Sequence, residues 1–192
     1  MCTGANVRAD DDERLMILLG RGENEALDEL MRRHASRIRQ IAYRILGKLD
    51  EADDVVQETF TRVFRFAPRY KPNAKFTTWL FRVAVNLSQD VHRKNCREAA
   101  LRRALRLWRP VTAGETHQES ENVERARRAI ASLAEFQRTA IVLHYYERLS
   151  CAQIGEITGR SAAAVESALS RAYATLRQRL NPTGIQGRFP EG

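Results

Sequence analysis

The stretch Leu149–Leu176, LSCAQIGEITGRSAAAVESALSRAYATL, reads as two helices joined by a tight turn. Ser150 and Gln153 have the spacing of a capping box: the hydroxyl can accept from the Gln153 amide while the Gln153 side chain reaches back, with Leu149 set to staple onto Ile154. The first helix turns Ile154 and Ile157 inward and stops at Gly159, a residue able to take the left-handed conformation. Ser161 is placed as the N-cap of a second helix, whose buried stripe is Val165, Ala168, Leu169 and Ala172. Two short helices joined this way, the second longer and basic at its end, predict a helix-turn-helix.

The same 3.6-residue period runs outward through the chain. Ile38, Ile41, Ala42, Ile45 and Leu46 make one apolar stripe, and Leu80, Val83, Ala84, Leu87 and Val91 another. No segment alternates as a strand does. Helices are expected near 11–20, 24–46, 51–66, 76–106, 122–133, 135–148, 151–158 and 162–179, with Gly47 ending the second and Asp50 capping the third. Pro68, Pro72 and Asn73 mark Ala67–Lys75 as a loop. Composition then breaks: His92–Arg109 holds Arg93, Lys94, Arg97, Arg102, Arg103, Arg106 and Arg109, whereas Pro110–Glu124 has four acids and no Lys or Arg. The expected architecture is all-α: two small helical domains, 8–106 and 125–180, joined by a flexible acidic linker at 107–124, with a flexible tail at 181–192.

The chain has 192 residues, 43% hydrophobic, with a net charge of +8. That length can bury a core, and the positive balance favours an anionic partner, nucleic acid first. The longest apolar run, Leu15–Leu19, is far short of the roughly 18 residues of a membrane span, and it follows Asp10, Asp11, Asp12 and Glu13 rather than a basic leader. Cys2, Cys96 and Cys151 form no disulfide framework, so a reduced, cytoplasmic chain without direct membrane insertion is expected. His34, His92, His117 and His144 are scattered and no Gly-rich phosphate loop follows a strand, so no enzyme activity, cofactor or metal is expected. His92 and Cys96 share a helix face as half a metal site with no second pair, and Cys151 reads as a small thiol packed in the helix pair.

Two further stretches carry chemistry. Phe60, Phe64, Phe66, Tyr70, Phe76, Trp79 and Phe81 straddle the predicted loop, interleaved with Arg62, Arg65, Arg69, Lys71, Lys75 and Arg82. Flat rings can stack on unpaired bases while cations meet the backbone, each stacked base contributing roughly 1–3 kcal/mol. Phe60 and Phe64 are assigned to the core with Val56 and Val63, and Tyr70 is the ring least expected to be packing. Asp50, Glu51, Asp53, Asp54, Gln57 and Glu58, by contrast, would repel DNA and suit a basic protein partner. On the second helix of the C-terminal pair, Glu166 can accept from cytosine N4, Ser167 and Ser170 can bond a base or phosphate, and Ala162 and Ala163 can touch thymine methyls, with Arg171 further along.

Asp53–Phe60 (DDVVQETF) followed by Phe76–Asn86 (FTTWLFRVAVN) resembles the second conserved region of bacterial sigma factors of the extracytoplasmic-function group. Leu133–Arg138 through Ile154, then Val165–Arg177, resembles that group's fourth region. The resemblance implies a subunit that binds core RNA polymerase, at the clamp helices of the largest subunit and the flap of the second largest, and directs it to promoter DNA. It places Asp53, Asp54, Gln57 and Glu58 at the clamp, and Tyr70, Lys71, Asn73, Phe76, Trp79, Asn86, Arg93 and Lys94 at the −10 element. Ser161, Ala163, Glu166, Ser167, Ser170 and Arg171 fall at the −35 element, and a cognate anti-sigma factor is implied. Glu166 and Ala168 stand where many relatives carry basic residues, which predicts weaker −35 binding with a smaller salt slope. The competing reading is a stand-alone helix-turn-helix regulator, which leaves the acidic helix and aromatic loop unexplained.

Overall fold

A computed structural model describes residues 6–72, 75–104 and 121–180. These hold eight α-helices and no strand: α1 Asn6–Gly20, α2 Glu25–Leu46, α3 Leu49–Phe66, α4 Phe76–Ala104, α5 Glu121–Ala131, α6 Glu135–Ile141, α7 Cys151–Thr158 and α8 Ala162–Leu180. A 3₁₀ turn, Ala67–Arg69, follows α3, and a π-helical turn, Val142–Tyr146, continues α6. Among the described residues no helix is long and apolar enough to cross a membrane. The expected linker from 107 to 120, the tail from 181 and Asn73 lie outside the described residues; Glu121–Glu124, assigned to the linker, instead begin α5.

Helices α1–α4 pack around Met16, Leu30, Ile38, Ile41, Val55, Val63, Phe76, Leu80 and Val85, all 2% exposed or less. The second bundle, α5–α8, closes on Leu133, Ile141, Leu143, Ile154, Ile157, Val165, Leu169 and Leu176. The stripes of α2, α4, α7 and α8 are the ones their periods mark out, so burial of apolar surface orients these helices. Gly47 ends α2 in the left-handed region at φ 79°, with its amide on the Tyr43 carbonyl. Asp50 does not cap α3: the helix begins at Leu49, and Asp50 and Glu51 stand in its first turn, where negative charge complements the helix dipole. Phe64 departs from expectation too. It is 49% exposed, because the inward stripe of α3 runs through Val55, Thr59, Phe60 and Val63 and leaves Phe64 beyond its edge.

The two bundles touch along a seam between α2 and α4 on one side and α5, α6, the π-turn and α7 on the other. Arg138, only 6% exposed, reaches from α6 to the Ile45 carbonyl at 3.0 Å while also donating to Ala131 and Leu133 at 2.7 and 3.1 Å. Gln89 donates to Thr139 at 3.2 Å, Arg127 reaches the Gly47 carbonyl at 3.5 Å, and Arg82 donates to the Glu156 carbonyl. Arg37 pairs with Glu147, and Arg44 lies over the Tyr146 ring at 3.9 Å.

Candidate nucleic-acid interface and docking face

The acidic residues of α3 occupy an outward stripe. Asp54 and Gln57 are exposed, and Asp53 and Glu58 are partly so. Asp53 is held by a two-pronged pair with Arg39 of α2, at 2.5 and 2.9 Å, and this hydrogen bonding keeps its carboxyl below the ordinary range. Glu58 pairs with Arg62 one turn on at 2.8 Å. Glu51 turns the other way, accepting from Asn95 of α4 at 2.9 and 3.0 Å and from Lys48 at 2.7 Å. Asp50, Asp54 and Gln57 are therefore exposed on α3 with no side-chain partner among the described residues. The exposed Phe64 lies seven residues beyond Gln57 on the same side.

The aromatic loop is a small stack. Phe66 and Trp79 lie nearly parallel with centroids 4.9 Å apart, and Tyr70 meets both Phe66 and Phe76 edge-on at 6.4 Å. Phe76, expected at the DNA, is 1% exposed and belongs to the core, because as the first residue of α4 its ring packs among His34 of α2, Tyr70 and Trp79. Tyr70 is half-buried and packs against the core, contrary to its expected freedom. Its hydroxyl is buried without a hydrogen-bond partner among the described residues, and burial, followed by the charges of Glu13 and Asp12, pushes its pKa up to about 12. Lys71 is exposed beside it.

Along α4, Trp79, Asn86 and Arg93 recur every seven residues and so share one face; Asn86, Arg93 and Lys94 are exposed. Arg93 is tied to Asp90 at 2.7 Å. The adjoining face of α4 is covered by the second bundle through Arg82, Gln89 and His92. His92 lies 3.4 Å from Arg138 and 3.6 Å from the Cys96 sulfur, and burial, then the Arg138 charge, hold its pKa below the ordinary 6.5. Among the described residues no group of three metal-ligating side chains comes together. Cys151 is half-buried.

The helix-turn-helix forms as its caps dictate. Ser150 accepts from the Gln153 amide at 3.3 Å and Gln153 accepts from the Ser150 amide at 2.9 Å, and Gly159 takes φ 69°. Gly155 lets the turn close, since a Cβ there would fall 2.6 Å from the Arg160 carbonyl oxygen. Ser161 caps α8 through the Ala164 amide at 3.2 Å. Ser161, Ala163, Glu166, Ser167, Ser170 and Arg171 are all exposed on one side of α8. Arg171 folds back on Ser167, donating to its carbonyl at 3.1 Å and its hydroxyl at 3.0 Å, so the two present a joint polar surface. Sequence reasoning had no sign of Arg138 at the seam or of the α1 carboxylates behind Tyr70, since their partners lie tens of residues away.

Comparison with known proteins places both halves in one lineage. The Sigma-70 region 2 family matches residues 30–98, and the Sigma-70, region 4 family matches residues 124–176. The chain is 31% identical over 171 residues to the ECF RNA polymerase sigma factor SigW of Bacillus subtilis, spanning 83% of this chain and 91% of that one. It is 35% identical over 165 residues to the ECF RNA polymerase sigma factor SigE of Mycolicibacterium smegmatis, covering 80% of this chain and 61% of that one. Among solved structures it is similar to CnrH in complex with the cytosolic domain of CnrY, with a TM-score of 0.69 and 27% identity over 90% of this chain and 99% of the other.

Proposed function

Because the chain belongs to the extracytoplasmic-function sigma factors of the sigma-70 family, we propose that it is a promoter-specificity subunit without catalysis of its own, acting in the cytoplasm. In this reading residues 8–106 dock on core RNA polymerase and read and help open the −10 element, while residues 125–180 read the −35 element and meet the flap, with 107–124 as the tether. The observation that carries it is the coexistence of three separate outward surfaces: the acidic stripe of Asp53, Asp54, Gln57 and Glu58, the face of Tyr70, Lys71, Trp79, Asn86, Arg93 and Lys94, and the exposed side of α8. An acidic surface repels DNA and suits the clamp helices, whereas the other two suit nucleic acid. A stand-alone regulator has use for the third alone.

The mechanism follows from the chemistry of each surface. The second bundle holds duplex through small contacts from Glu166, Ser167 and Ser170, and the rings near Tyr70 accept an unstacked base whose release from the duplex is offset by stacking. A cognate anti-sigma protein belongs to the proposal, supported by the likeness to CnrH, a relative solved in complex with the cytosolic domain of CnrY.

Run-off transcription with purified core polymerase on a randomised promoter pool tests this. Transcripts that depend on the chain and share two short elements are expected, and Asp54→Lys with Glu58→Lys should abolish them together with co-elution. Binding to duplex promoter without core, and no co-elution, would favour the stand-alone regulator.

A further inference from the structure

Helix α1 lies ahead of the matched family region, which begins at residue 30, yet it touches the aromatic loop at both ends. At the loop's entry, Gly20 sits against the 3₁₀ turn so closely that a Cβ would stand 2.6 Å from the Ala67 carbonyl oxygen. At its exit, the Phe76 amide donates to the Glu13 carboxylate at 3.1 Å. Lys75, the residue before α4, has no side-chain acceptor with which to cap that helix, so Glu13 satisfies an orphan amide from another helix altogether. Glu13 and Gly20 are seven residues apart, two turns along one face of α1.

Just ahead of Glu13, Asp11 and Asp12 tie α1 to α2. Asp12, 3% exposed, accepts from His34 at 2.8 Å and from Arg33 at 3.0 Å, and the His34 ring lies 5.8 Å from Phe76. Arg33 is further fixed by Asp11 and Glu29 at 2.7 and 2.6 Å. Carboxylates beside a DNA-reading loop would repel phosphate if they faced out. Asp12 instead faces inward onto cationic and imidazole partners, and Glu13 meets the positive end of α4. The Tyr70 hydroxyl is buried and its ring meets Phe76, the residue whose amide Glu13 holds.

We propose that α1 is a working part of the −10 reader and that Glu13 is a positioning residue, fixing the exit of the loop so that Tyr70 and Trp79 are set before DNA arrives. This rests on the reading of that loop given above. A ring already held in place loses less freedom on stacking, so the device acts on base discrimination rather than on polymerase affinity.

The test uses holoenzyme reconstituted with core polymerase. Fluorescence anisotropy compares a single-stranded non-template oligonucleotide carrying the −10 element recovered by run-off selection with a scrambled one. Glu13→Ala should lower the preference for the −10 oligonucleotide about tenfold, the effect of losing a helix cap, with core affinity unchanged. Glu13→Gln, which keeps an acceptor oxygen, should restore it to within about twofold. Gly20→Ala pushes at the other end and should reduce the same preference; it carries the comparison alone if Glu13→Ala fails to fold. Wild-type preference in both Glu13→Ala and Gly20→Ala would overturn the proposal, provided Tyr70→Ala loses it. If Tyr70→Ala also keeps wild-type preference, the reading of the loop falls and the positioning role with it.

Discussion

The guanidinium of Arg138 in α6 donates to the carbonyl of Ile45 in α2 at 3.0 Å, so a side chain from the second bundle closes the end of a helix in the first. The same group holds the end of α5 through Ala131 and Leu133. Removing it leaves three carbonyls without their charged donor. Arg138→Met should lower stability by about 2–4 kcal/mol and enlarge the radius of gyration, measured by thermal unfolding and X-ray scattering. Arg138→Lys should restore little, because one ammonium cannot span acceptors served by two nitrogens.

His92 stands at that seam with Arg138 and Glu135 of α6, Glu51 of α3 and Cys96 of its own helix around it. Burial and then Arg138 lower its pKa, outweighing the acids, so the seam holds the neutral ring. The released side chain titrates near its ordinary 6.5. Seam stability should therefore be level above that pH, decline as pH falls below it, and flatten once the lowered value is passed. Scattering between pH 5 and 8 should show expansion on acidification, with His92→Gln insensitive over the same window.

Tyr70 combines a half-buried ring with a buried hydroxyl that has no partner among the described residues. A buried hydroxyl left unpaired costs about 1–3 kcal/mol. Tyr70→Phe should leave the unfolding midpoint unchanged or higher and preserve open-complex formation. Tyr70→Ala should slow open-complex formation while core binding stays intact, as read by permanganate footprinting and co-elution; the reverse pattern would remove the stacking role.

Arg148 precedes the capping box of α7 at φ 53°, where residues with a Cβ are strained. Arg148→Gly should raise stability by about 1 kcal/mol. Denaturant unfolding at fixed pH reads this directly, and a lower midpoint would mean the arginine side chain compensates through contacts of its own.

Local signals in this chain are read from sequence with little loss. The Ser150–Gln153 box, the left-handed Gly47 and Gly159 and the Ser161 cap are each settled within five residues, and all form as expected. Errors arise where distance decides. Phe64 and Phe60 are four apart and look equivalent on a helix, yet the direction of the core behind α3 buries one and exposes the other. Phe76 looks like its loop neighbours until His34 of α2, 42 residues back, meets its ring. Glu13 and Arg138 gave no sign at all, because a carboxylate 63 residues from its amide, or a guanidinium 93 from its carbonyl, leaves no periodic trace.

Three donors of the seam, Arg82, Arg127 and Arg138, end on main-chain oxygens, those of Glu156, Gly47 and Ile45. A main-chain oxygen is present whatever side chain the position carries. The helix-turn-helix can therefore diverge in sequence without erasing the acceptor that Arg82 needs, and α2 can diverge without erasing those used by the two arginines opposite. Hybrids that graft α5–α8 of one relative onto α1–α4 of another should keep the seam whenever the arginines travel with their halves, so the two bundles can be exchanged as interchangeable parts.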